Sequence, residues 1–76
     1  MRDYLVELRD KKGLTQRDVS IKLGISESYY NMIEHGARQK DMSIVLLYEL
    51  SLIFKISLKS LVDKELDFIK RRINVW

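Results

Sequence analysis

Residues 16–35 read QRDVSIKLGISESYYNMIEH, and this stretch decides the fold. Thr15 stands just before it as a helix-starting hydroxyl. Asp18, three residues on, gives a near capping box with Asp in place of the usual Glu or Gln. Val19 and Leu23 form an apolar face, and Gly24 ends that helix because it takes the positive φ of a tight turn at no steric cost. Ser26 is the next N-cap candidate, heading a helix from 27 to about 34 that Gly36 stops. Ser20 is small enough to sit where the two helices cross closely. Val19, Leu23, Ile25, Tyr30 and Ile33 can pack inward, leaving Glu27, Ser28, Asn31 and Met32 on an outer face. Two arrangements fit this pattern: a helix-turn-helix, whose second helix enters the DNA major groove, or an ordinary αα-corner of a small bundle. Helix, glycine and helix alone favour the corner.

Working outward, Tyr4, Leu5 and Leu8 recur at helical spacing over residues 2–12, and Gly13 follows as a stop. The linker 37–42 is polar and basic. Ser43 caps a fourth helix to about residue 54, and Ser57 caps a fifth from residue 58. The pattern therefore predicts an all-α chain of five helices. Seventy-six residues make one domain, 46% hydrophobic and 33% charged. Cysteine is absent and there is one histidine, which argues against a disulfide framework, a thiolate metal site or a His-rich one. No metal or other cofactor is expected. No pair of catalytic carboxylates is held together either, so an enzyme is not expected. No basic-then-apolar leader opens the chain, and the most apolar stretch, 44–54, is short for a membrane span and contains Glu49. A cytoplasmic location is expected. The net charge of +3 permits an anionic partner without demanding one.

The residues Leu8-Arg9, Lys12-Gly13-Leu14-Thr15-Gln16, Leu23-Gly24-Ile25-Ser26, Ser28-Tyr29, Ile33-Glu34, Gly36 and Arg38, with Ile56-Ser57-Leu58 near the end, carry a combination of spacings. In these the chain resembles the Cro/C1-type helix-turn-helix family of small bacterial and phage transcriptional regulators. The resemblance covers about residues 2–62 and implies a five-helix, lambda-repressor-like DNA-binding domain over 1–62, with the helix-turn-helix at about 16–35; residues 63–76 read as a C-terminal helical extension that serves dimerisation.

Roles follow from the resemblance residue by residue. Gln16, at the start of the second helix, would meet a phosphate, and Arg38 would do so after the recognition helix. Ser26, Glu27, Ser28, Asn31 and Met32 occupy the positions that face base edges or flanking phosphates. Their chemistry suits cytosine N4 for Glu27, adenine N6 and N7 for Asn31, and a thymine methyl for Met32. A solvated helix face, with Ser26 acting purely as a cap, is the plainer alternative. Tyr29 would present its hydroxyl to a phosphate, and His35 would either touch one or cap the helix. The recognition helix carries no Lys or Arg, so positive charge must come from around it: Arg17, Arg38 and Lys40 are the candidates. Arg9 and Glu34 would form a structural ion pair between the first helix and the recognition helix. The linker is longer than the commonest family form and lacks its usual Pro, so only Arg38 is carried over there by likeness.

The last two helices hold more apolar side chain than one small body needs. Val62, Leu66, Ile69, Ile73 and Trp76 form a heptad-like seam, and Leu61, Phe68 and Val75 a second ridge. Either the fifth helix folds back over the fourth, or the seam pairs two chains, helped by Leu46 and Ile53 pointing outward. The second is preferred. The expected protein is thus a sequence-specific regulator, a repressor, binding double-stranded pseudopalindromic DNA as a homodimer. The alternative is an antitoxin-like or adaptor protein whose main ligand is another protein.

Overall fold

The computed structural model describes residues 1–73, Ile73 by its backbone alone. Among these residues the chain is all-helical: α1 (Asp3–Lys11), α2 (Gln16–Leu23), α3 (Glu27–His35), α4 (Ile44–Phe54) and α5 (Leu58–Ile73). Side-chain hydroxyls set the starts. Thr15 and Asp18 close a capping box, the Asp18 N–H donating to Thr15 Oγ1 at 3.1 Å and the Thr15 N–H to Asp18 Oδ2 at 2.9 Å. The bond from the Thr15 backbone holds the Asp18 carboxyl below its usual range. Ser26, Ser43 and Ser57 each accept from the N–H three residues on, at 3.0–3.1 Å. Each such cap contributes about 1 kcal/mol. Gly24 (φ +72°) and Gly36 (φ +81°) end α2 and α3 in the left-handed region.

The helices enclose one core. α2 packs on α3, α1 on α3, and α4 joins α2 to α5. Leu5, Leu8, Val19, Tyr30, Ile33, Leu47, Leu50, Phe54 and Leu61 are buried, and Leu23 and Ile25 of the turn pack partly against them. Ser20 is buried where α2 meets α3, its hydroxyl donating to Arg17 O at 2.7 Å. No helix among the described residues is long and apolar enough to cross a membrane.

One expectation about the last helices is corrected. On α4 the buried face is Leu47, Leu50, Ser51 and Phe54, while Ile44, Val45, Tyr48 and Leu52 are exposed by 54–65%. Leu46 and Ile53, expected to point outward, pack partly against the core. The cause is composition: every residue of α4 except Glu49 and Ser51 is apolar, so periodicity cannot say which side faces in. Ser51 lies on the buried side, its hydroxyl satisfied by donation to Tyr48 O at 2.6 Å. On α5 the second ridge faces the body. Leu61 is fully buried and Phe68 half-buried. Of the expected seam, Val62 packs partly against the core, Ile69 is half-buried and Leu66 is 43% exposed. The Ile73 side chain, Val75 and Trp76 lie outside the described residues. α5 also runs unbroken through position 62, where the sequence reading divides the chain.

Candidate nucleic-acid interface

The outer face of α3 is held in place by a chain of polar contacts rooted in the core. Glu34 is fully buried on the inner side of the helix. Arg9 of α1 reaches it, Nε donating to Oε2 at 2.8 Å and Nη2 to Oε1 at 3.4 Å, and also donates through Nη1 to Leu14 O at 3.1 Å. Gln16 Nε2 donates to Glu34 Oε1 at 2.8 Å, and Asn31 Nδ2 donates in turn to Gln16 Oε1 at 3.1 Å. Burial pushes the Glu34 carboxyl up, but the hydrogen bonds from Arg9 and Gln16 outweigh it and hold it below the usual range. Glu34 is therefore a compensated anion inside the domain, leaving Glu27 as the exposed carboxylate of α3. Tyr30 is buried beside it with its hydroxyl unpartnered among the described residues; burial, then the Glu34 carboxylate, pushes that hydroxyl up.

This arrangement limits what each side chain can offer. Gln16 is committed through both ends of its carboxamide, so a phosphate would meet its remaining amide hydrogen and the free N–H groups at the start of α2. Asn31 spends one amide N–H on Gln16, and its Oδ1 and other N–H take no part in that bond. Ser26, Glu27 and Ser28 are exposed at the N-terminal end of α3, whereas Met32 is half-buried. His35 is exposed and donates through Nδ1 to Asn31 O at 2.8 Å. The Tyr29 hydroxyl accepts from Gln39 Nε2 at 3.0 Å, so it faces the linker. Arg17, Arg38 and Lys40 are exposed on the segments flanking α3, and Arg38 reaches back to Ala37 O at 3.1 Å.

One cluster near this face had no counterpart in the sequence reading. Arg2 is fully buried, its Nε and Nη2 each donating to the Glu65 carboxylate at 2.9 Å. Tyr4 Oη donates to the same carboxylate at 2.5 Å. Arg2 Nη1 also donates to Ile33 O at 2.6 Å, on the last turn of α3, and the Arg2 N–H donates to Glu34 O at 2.7 Å. Partners 63 positions apart leave no local signal; the hint available was an arginine ahead of α1 and a glutamate on the inward side of α5.

Comparison with known proteins bears on this geometry. A family model described as a helix-turn-helix domain matches residues 4–66. A protein of Sinorhizobium fredii, named as an uncharacterized HTH-type transcriptional regulator, y4dJ, is 38% identical over 55 residues, covering 72% of this chain and 69% of that protein. No solved structure gives a significant match.

Proposed function

The chain belongs to the Cro/C1-type helix-turn-helix family of DNA-binding regulators, and from that premise we propose that it is a cytoplasmic repressor that binds a pseudopalindromic operator as a homodimer. The observation that carries the reading is the polar chain from Arg9 through Glu34 and Gln16 to Asn31. It locks α3 against the body and leaves Ser28 and Asn31 on the outer side with hydrogen-bonding capacity to spare. In this reading Ser26, Glu27, Ser28, Asn31 and Met32 read the major groove. Gln16, Arg17, Tyr29, His35, Arg38 and Lys40 face the phosphates, and no catalysis is involved.

Residues 1–62 would carry DNA binding and 63–76 would contribute to pairing, a division of labour within one folded body. The exposed stripe Ile44, Val45, Tyr48 and Leu52, with Leu66 of α5, supports a two-fold interface in place of the face first assigned to Leu46 and Ile53. Completing the burial of eight half-exposed α4 side chains across a dimer gives roughly 1 kcal/mol each before the cost of association is subtracted, so this face alone would give a weak, concentration-dependent dimer. The same stripe also suits the second reading, a surface for an unrelated protein. Selection of bound duplexes from a random DNA library, followed by sedimentation with and without the selected duplex, tests both. A symmetric motif bound by two chains supports the repressor reading. No enrichment, with a monomer at tens of micromolar, would sink it.

A further inference from the structure

Arg38 and Lys40 sit in the linker between α3 and α4, which has no regular structure of its own. Such a segment has no fixed aim unless its backbone is tied down. Here three successive carbonyls are each taken by a guanidinium group. Arg2 Nη1 donates to Arg38 O at 3.2 Å and Arg2 Nη2 to Gln39 O. Arg72 Nη1 donates to Lys40 O at 3.0 Å. The two guanidinium groups also share the Phe68 ring, lying 4.8 Å (Arg2) and 5.9 Å (Arg72) from its centroid. Gln39, between them, has φ +54°, a conformation that a residue with a Cβ disfavours. Its carbonyl bond to Arg2 and its side-chain bond to Tyr29 of α3 hold it there.

Arg2 has five N–H donors, and all five are used: two on Glu65, three on the carbonyls of Ile33, Arg38 and Gln39. Fully buried, it cannot itself reach DNA. We propose that Arg2, seated on Phe68 and assisted by Arg72, is a positioning residue for DNA binding, fixing the linker so that Arg38 and Lys40 meet phosphates in register with the groove contacts of α3. This rests on the reading of Arg38 and Lys40 as phosphate contacts, and it makes α5, which supplies Glu65, Phe68 and Arg72, part of the DNA-binding apparatus. Lysine has the charge of arginine but three donors and no planar fork, so it can keep Glu65 while releasing the linker. Replacing Phe68 by Leu removes the shared ring and changes no charge.

The test uses a mixed-sequence duplex of about 30 base pairs, whose binding reports phosphate contacts through the slope of log K against log salt. The full chain is compared with Arg38→Ala/Lys40→Ala, Arg2→Lys and Phe68→Leu, each checked for its melting transition. Backbone amide order parameters at residues 39–41 are measured by NMR relaxation on the free proteins. The Arg38→Ala/Lys40→Ala variant should flatten the slope by about 0.9 per lost contact. Arg2→Lys and Phe68→Leu should flatten it in the same direction, although neither removes a charge, and should lower the order parameters of the linker. An unchanged slope in Arg38→Ala/Lys40→Ala overturns the phosphate reading and the proposal with it. A flattened slope there, with wild-type slope and linker order parameters in folded Arg2→Lys and Phe68→Leu, overturns the proposal alone. Should Arg2→Lys fail to fold, Phe68→Leu decides.

Discussion

Replacing Glu34 by Gln keeps the shape of the side chain and removes the charge on which α1, α2 and α3 converge. In the native protein its two oxygens accept from Arg9 at 2.8 and 3.4 Å and from Gln16 at 2.8 Å. After the change, the new amide nitrogen must face at least one of those donors. Breaking a buried ion pair from one side typically costs about 3–5 kcal/mol, because the remaining charge is left uncompensated. Arg9 is better placed than that limit: its side chain is 15% exposed and keeps its bond to Leu14 O at 3.1 Å. We therefore expect a loss of about 2–4 kcal/mol, a large part of the stability of a domain this small. At roughly 4–8 °C per kcal/mol, that lowers Tm by about 10–30 °C. Urea and thermal melts at neutral pH measure it, with Arg9→Met, Glu34→Gln and the apolar pair Arg9→Met/Glu34→Leu completing the set. The apolar pair should recover much of the loss, since neither charge then remains. A cost below about 1 kcal/mol for Glu34→Gln, or an apolar pair no better than either single change, would show that the ion pair does not anchor α3 as described.

The same carboxylate predicts a pH dependence. Its folded pKa lies below the ordinary glutamate value of 4.5, so its contribution is present above about pH 4.5 and is lost as pH falls through the lower folded value; Tm measured down that range should drop less in Glu34→Gln. Ala at Gly24 meets open space and should cost about 1 kcal/mol from its positive φ alone, whereas Ala at Gly36 adds a contact at 3.1 Å to Phe68 Cζ; equal losses in urea melts would remove that contact from consideration. Ala at Ser28 or Asn31 should shift preference at one or two base positions per half-site by roughly 1–3 kcal/mol, and more than Ala at half-buried Met32; identical selected motifs for all three would place the readout elsewhere. Glu at Val45 or Tyr48, both exposed, should leave the chain folded while turning the proposed dimer into a monomer by sedimentation; an unchanged sedimentation coefficient would rule out the α4 face.

What could be read from the sequence was what local chemistry governs. Thr15 with Asp18, Ser26, Ser43 and Ser57 cap helices that start where those residues require, because each cap is made within four residues of chain. The Arg9–Glu34 contact was implied by family likeness and is present; spacing alone gave no reason to choose Arg9 over Arg2 as the partner of an α3 group. The buried face of α4 was out of reach because an almost wholly apolar helix carries no orientation signal. The engagement of Gln16 with both Glu34 and Asn31 was also missed. Gln16 read as a phosphate contact and Asn31 as a base reader, each on its own, and their meeting depends on how α2 crosses α3. The non-glycine cap of α4, Lys55 at φ +55°, has no sequence mark either.

The Arg2–Glu65 contact has a consequence for kinetics. The caps and the α2–α3 turn close over a few residues, on the fast timescale of local helix formation. Arg2 and Glu65 must instead bring together groups 63 positions apart, a closure whose entropic cost is roughly 4 kcal/mol. A contact of that span forms after the helical body has condensed and so lies on the native side of the folding barrier. Weakening it should leave the refolding rate nearly unchanged and accelerate unfolding, making this one buried arginine a determinant of the lifetime of the folded chain rather than of the speed with which it folds.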